Sequence, residues 1–120
     1  MAARTPLYDR HVALGASMVE FGGYDMPIQY SGIRAEHTAV RQRAGLFDIS
    51  HMGEVWFPGE SGVAAVQRLV TNDVARLSTG GALYSMMCNQ RGGIVDDVIV
   101  YRDEDGCLVV VNAGTRHGDV

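Results

Sequence analysis

Two adjacent aspartates, Asp96 and Asp97, stand in the middle of GGIVDDVIVY, a run otherwise suited to a protein core. Carboxylates are seldom fully buried unless they are paired, so their place here needs a reason. In a strand, neighbouring side chains point to opposite faces. Ile94, Asp96, Val98 and Val100 then share one side, and Val95, Asp97, Ile99 and Tyr101 the other. Carboxylates on opposite faces are not expected to split one proton as an acid/base dyad unless a bulge intervenes. Asp97 and Tyr101 are separated by roughly 13 Å along a strand, the reach of an elongated ligand rather than of a single ion. Tyr84, on the preceding strand, could join them across a hairpin whose register is open. One acceptor and two aromatic rings on a wall would suit a flat heterocycle carrying an N–H. The alternative stays open at this point: either aspartate could face solvent or guard a sheet edge against mispairing.

Other reactive side chains point to less. Asp48, His51 and Glu54 in DISHMGE are of metal-ligating type. Three residues apart in an extended segment they do not converge, so a structural or capping role is expected and no metal. His11 and His37 fall on predicted helices, at the surface or satisfied by hydrogen bonds. Cys88 and Cys107 lack the CxxC spacing of a metal or redox site; a single disulfide is conceivable, and free thiols are the expectation in a reducing compartment. Met86-Met87 reads as core and Asn72-Asp73 as a helix end. The sequence contains no GxGxxG, no Walker motif and no GxSxG.

The elements that would position the aspartates follow from patterning. Thr5-Pro6 reads as a helix start, with Leu7 and Leu14 on one face and Gly15 as a stop. Met18–Phe21 alternates like a strand and is broken by Gly22-Gly23. Ser31 opens a second helix, with Ile33, Val40 and Ala44 on one side and Gly45 at its end. Glu54–Phe57 is a predicted strand, and Pro58-Gly59 leads into a helix over 61–70 with Val63, Val66 and Val70 at helical spacing. Three strand-like runs follow, 82–89, 94–101 and 107–112, joined by short Gly-containing links, which predicts antiparallel hairpins. The fold class is α+β, an antiparallel sheet with helices on one face. Residues 1–50 would form part of a first subdomain, and 51–120 the helix and strands that carry the DD pair. Positions 115–120 look like the opening of another helix with no stop, which suggests the amino-terminal portion of a longer protein.

With 120 residues, 47% of them apolar and 20% charged, the chain can bury a modest core. A net charge of -4 and the lack of a basic run give no reason to expect nucleic acid. No apolar run approaches the roughly 18 residues of a membrane span, and MAARTPLYDRH has no signal-peptide core. A cytoplasmic location is expected, or the mitochondrial matrix in a eukaryote.

Several segments taken together resemble one family: TPLYDRHVALGASMVEFGGYDMPIQY, HTAVRQRAGLFDISHMGE, TNDVARL, ALYSMMCNQRGGIVDDVIVY and LVVVNAGTRHGDV. Their types and order are similar to the aminomethyltransferase, or T-protein, of the glycine cleavage system, over essentially the whole chain. The resemblance implies the first part of a multidomain folate-binding fold. It implies transfer of an aminomethyl-derived carbon from the lipoyl group of a carrier, H-protein, to tetrahydrofolate, giving methylene-tetrahydrofolate and ammonia. The family's essential aspartate falls on Asp97, its folate-contacting tyrosines on Tyr84 and Tyr101, and a position near the pterin on Asn112. Val98 and Val110 would form nearby wall or floor, and Asp96 would be structural. Further folate contacts of the family, an acidic residue and arginines, lie past position 120, so this stretch alone is expected to be inactive. Relatives that demethylate sarcosine or dimethylglycine, and non-catalytic folate-binding modules in tRNA modification or iron–sulfur assembly, are the alternatives.

Overall fold

The computed structural model describes residues 1–119. The chain divides into two compact units, Met1–His51 and Met52–Val120.

The first unit contains a three-stranded sheet of order β1-β3-β2, from β1 (Ala3–Arg4), β2 (Ser17–Phe21) and β3 (Tyr24–Gln29). β2 and β3 are antiparallel across the Gly22-Gly23 turn, while β1 runs parallel to β3. The strand β3 is absent from the sequence reading because it contains Pro27, which lacks a ladder donor. The pairing accommodates it locally: the β2–β3 register shifts between Ser17 and Met18, beside the Met18–Pro27 pair. Helix α1 (Tyr8–Ala13) starts later than Thr5-Pro6 predicts. Leu7 and Leu14 are both exposed, and the residue α1 buries is His11. Helix α2 (Ile33–Gln42) has no side-chain cap at Gly32. Instead Glu36 reaches back, and its Oε1 accepts from the backbone N–H groups of Tyr30, Ser31 and Gly32. That satisfies donors a helix start otherwise leaves orphaned.

The second unit is a four-stranded antiparallel sheet of order β4-β7-β6-β5, from β4 (Gly53–Pro58), β5 (Ala82–Cys88), β6 (Ile94–Asp103) and β7 (Gly106–Val111). Helix α3 (Gly59–Leu69) and a single 3-10 turn (Val74–Arg76) follow β4, and a short helix α4 (Arg116–Asp119) closes the described chain. The α+β class and the helix on one sheet face are as expected. One face is a valine core: Val63, Val66, Val70 and Val74 pack against Val98, Val100, Val109 and Val111, with Cys107 among them. Burying each valine contributes about 1.5–2 kcal/mol before entropy is counted.

The links fix the registers. Asn89 Oδ1 accepts from the N–H of Arg91 and of Gly93, and Gly92 takes φ +80°, so the β5–β6 turn is tight. β6 runs on to Asp103, past the predicted end at Tyr101, leaving only Glu104-Asp105 before β7. At Gly106, with φ +148°, a Cβ would run into the Phe57 carbonyl oxygen on β4. The outer edge of β5 is also covered. Val70 bridges Met87, and the Thr71 N–H donates to the Met86 carbonyl at 3.0 Å. Asn72-Asp73 is therefore more than a helix end: Asn72 Nδ2 donates to the Tyr84 carbonyl at 3.0 Å, and its N–H to the buried Ser85 Oγ at 2.9 Å. An edge so occupied is closed to mispairing. Among the described residues no helix is long and apolar enough to cross a membrane.

Candidate functional site

Alternation along β6 separates the two aspartates. Asp96, Val98 and Val100 are buried on the core face; Asp97, Ile99 and Tyr101 are exposed on the other. The register completes the open face. Tyr84 lies opposite Ile99, and Ile99 opposite Val110; Met86 lies opposite Asp97. Continuing the Ile99–Val110 pairing by two residues sets Asn112 level with Asp97. Tyr101 pairs with Leu108, which pairs with Trp56 on β4. Glu54 on β4 lies opposite Val110, so the open face carries two carboxylates, an amide, two phenols and an indole on an apolar floor.

Asp97 is held from both sides. The Tyr84 hydroxyl donates to Asp97 Oδ2 at 3.0 Å, and Asn112 Nδ2 donates to Asp97 Oδ1 at 3.2 Å. The bond to Asp97 pushes the Tyr84 phenol up from its ordinary value, so it remains a donor at neutral pH. Asp96 is 6% exposed and sits deeper. Its Oδ2 accepts from the Asn112 N–H at 3.0 Å and its Oδ1 from Asn112 Nδ2 at 2.9 Å. Burial alone would push the Asp96 carboxyl up; hydrogen bonds from Asn112, with smaller help from Thr115, outweigh it and hold Asp96 below the ordinary carboxylate range.

Of the residues singled out from sequence, Tyr84, Asp97 and Asn112 are brought into direct contact. Tyr101 and Val110 share their face through the register. Val98 does not: its side chain is 1% exposed in the core, so a ligand on the open face could meet only its backbone. Met86-Met87 divides, with Met87 against the core and Met86 beside Asp97. Leu108 and Trp56 were not singled out; their parity with Asp97 becomes readable only once the β4–β7–β6 register is known, whereas that of Ile99 follows from alternation along β6.

The DISHMGE segment has another use. In the first unit, Asp48 Oδ2 accepts from Thr5 Oγ1 at 2.7 Å and lies 2.9 Å from His11 Nε2, and Asp48 Oδ1 accepts from the Ser50 N–H at 2.9 Å. His11 Nδ1 is 2.7 Å from the Tyr30 hydroxyl. The expected structural role for Asp48 and a satisfied His11 both hold. His51 is buried, with its ring edge-on to Phe21 and Tyr24, while Glu54 is exposed on β4. Cys88 and Cys107 are free thiols. The first unit also has a groove of about 510 Å³, lined by Ile33 and Val40 of α2 and by Ala44, which lies past the helix end rather than on it as predicted.

A sheet with one covered face and one open face, the open one carrying a clamped carboxylate among aromatic rings, defines an α+β sheet module. The chain belongs to the family described as the GCVT N-terminal domain, whose model matches residues 7–120. It is 60% identical over 117 residues to an aminomethyltransferase of Rubrobacter xylanophilus, covering 98% of this chain and 32% of that one. It is 50% identical over 120 residues to an aminomethyltransferase of Geobacillus kaustophilus, covering 99% and 33%. It superposes on the crystal structure of the glycine cleavage system aminomethyltransferase T from Bartonella henselae with a TM-score of 0.91 and 37% identity, covering 99% of this chain and 34% of that one. The chain spans about a third of the length of the curated relatives it matches.

Proposed function

We propose that this chain supplies the acidic wall of a tetrahydrofolate site in an aminomethyltransferase, with Asp97 as the catalytic residue. The observation that carries the reading is the placement of Asp97 on an exposed sheet face, fixed by Tyr84 and Asn112, among apolar and aromatic side chains. The donor set suits a reduced pterin: a carboxylate accepts N–H, and the Tyr84 and Tyr101 rings offer flat apolar faces. Val110 and Ile99 would form the floor between them, and Val98 would contribute backbone only.

The reaction balances without an oxidant or a metal. In the substrate carried by H-protein, an aminomethyl carbon joins a lipoyl sulfur to an amino group. Two folate nitrogens form bonds to that carbon as the C–N and C–S bonds break. Their two protons leave with the nitrogen as ammonia and with the sulfur as a thiol. Positive charge develops on the carbon and on the attacking nitrogen along this path. The Asp97 carboxylate stabilises that charge and orients the nucleophile by accepting its N–H. Juxtaposing folate and the lipoyl arm lowers the barrier further.

The test uses the full-length protein with lipoylated, aminomethyl-loaded H-protein and tetrahydrofolate, reading methylene-tetrahydrofolate and ammonia. Both products should form together, and Asp97→Asn should slow both by about 10²- to 10³-fold while leaving the thermal unfolding midpoint close to that of the parent. Equal turnover in parent and variant would remove Asp97 from the chemistry. The 120-residue stretch by itself should give no product.

A further inference from the structure

Asp96 is the one member of the cluster to which the reaction above assigns no task. It lies on the core face, yet its contacts lead to Asp97 by way of Asn112. The Asn112 amide nitrogen carries two protons. It sits 2.9 Å from Asp96 Oδ1, 3.0 Å from the Asp97 carbonyl oxygen and 3.2 Å from Asp97 Oδ1. An amide has a donor end and an acceptor end of nearly the same shape, and its partners decide which end faces where. All three partners only accept and so agree on the NH2 end; of them Asp96 is the buried one, and it holds that end along the β6–β7 boundary toward Asp97. The Asn112 N–H, donating to Asp96 Oδ2 at 3.0 Å, fixes the backbone from which that amide projects.

We propose that Asp96 is a positioning residue for the transfer reaction: acting through the Asn112 amide, it sets the orientation in which Asp97 is presented on the open face. The proposal rests on the reading of Asp97 given above. Its physical basis is the difference between the two clamps on Asp97. The Tyr84 side chain is exposed and, among the described residues, held at its tip by Asp97. The Asn112 amide is anchored at its other side by a group buried in the sheet. A buried carboxylate is also a costly filler where an apolar side chain would pack as well, and one of the bonds Asp96 makes runs to a side-chain amide whose remaining contacts are both to Asp97.

The experiment uses the full-length protein, with kcat expressed per folded molecule. In Asp96→Asn the shape is kept, but an NH2 now faces Asn112. The Asn112 amide turns to meet it, and its oxygen then opposes Asp97 Oδ1, acceptor against acceptor. We expect kcat to fall at least about tenfold with KM for tetrahydrofolate changed less than about threefold, because displacing a group at the reacting centre costs rate more than binding. The double variant Asp96→Asn/Asn112→Asp exchanges donor and acceptor and restores the buried pair, but it sets a second carboxylate beside Asp97. Its unfolding midpoint should recover toward the parent while kcat stays low.

A purely structural Asp96 leaves kcat per folded molecule at the parental value in Asp96→Asn, which overturns the proposal, and recovery of kcat together with the midpoint in the double variant equally overturns it. So does a rise in KM alone in Asp96→Asn. Should Asp96→Asn fail to fold, a parental kcat in the double variant still overturns the proposal. Asp97→Asn run in parallel separates the two layers: if it retains parental turnover, the reading of the site has failed, whereas a slowed Asp97→Asn beside a fully active Asp96→Asn sinks only the role of Asp96.

Discussion

Each unit of the chain builds a polar cluster around aspartate and tyrosine, and the two clusters end in different places. Around Asp48, the acceptor positions are taken up: Thr5, His11 and Ser50 occupy the carboxylate, and Tyr30 occupies the far side of the His11 ring. The side chains of His11 and Asp48 are 8% and 1% exposed. Around Asp97, the partners hold the carboxylate from the sides and leave its outward lone pairs toward the open face. The residue types barely differ. What separates a carboxylate that ties loops together from one that can meet a substrate is spare acceptor capacity facing open space.

That difference makes the sharpest prediction a crossed pair of substitutions in the full-length protein. Asp97→Asn should cost about 10²- to 10³-fold in turnover, the scale of losing one preorganised electrostatic contact to a transition state, with little change in the unfolding midpoint. Asp48→Asn should do the reverse. It leaves Thr5 or His11 facing a donor in a buried site, so stability should drop by about 2–4 kcal/mol, with turnover per folded molecule retained. If both substitutions affected the same observable, the contrast between the clusters would be lost.

Much of this was legible in the chain before folding was considered, and the exceptions have physical causes. Strand alternation alone puts Asp97 with Tyr101 and against Asp96, and the structure keeps that parity. The same alternation puts Val98 with Asp96, which is why its expected place in the pocket wall reduces to its backbone. Tyr84 needed the β5–β6 register, and that depends on how the Asn89–Gly93 turn closes, a matter of Asx hydrogen bonds rather than hydrophobic pattern. β3 was hidden by Pro27, and α1 was misread because its buried residue is a histidine held by Asp48 and Tyr30, not a leucine. Polar partners distant in sequence leave no periodic trace.

The acid limb of stability provides a middle-sized test. Burial pushes the Asp48 carboxyl up, but hydrogen bonds from His11, Ser50 and Thr5 win and hold it well below the ordinary range. A folded-state value below the unfolded one means that the unfolded chain binds the extra proton first. The stabilisation is therefore complete above the unfolded value of about 4 and is lost as pH falls through the folded one. The unfolding midpoint of Asp48→Asn should accordingly fall less steeply than the parent's between about pH 5 and pH 2. Some slope should persist, because Asp96 is held low by its own partners. Parallel curves for parent and variant would show that the enclosed cluster is not where the acid sensitivity resides.

The smallest expected effect belongs to Tyr84→Phe, and it asks how much of the clamp on Asp97 comes from each side. The ring remains, so its apolar face is still available on the open face; only the hydroxyl at 3.0 Å from Asp97 Oδ2 is lost. That bond lies at an exposed position, where water substitutes readily for a missing donor. Asn112 remains in place, anchored by Asp96. Turnover should drop about threefold, the scale of one solvent-competed hydrogen bond, and stability should be unchanged. The contrast with Asp96→Asn is the informative one. Asp96 never reaches the open face, yet its loss should cost more than removing a group that touches Asp97 directly. An anchored donor constrains the carboxylate, whereas a donor on a free side chain follows it. The reverse ranking, with Tyr84→Phe the more damaging, would assign the control of Asp97 to the phenol.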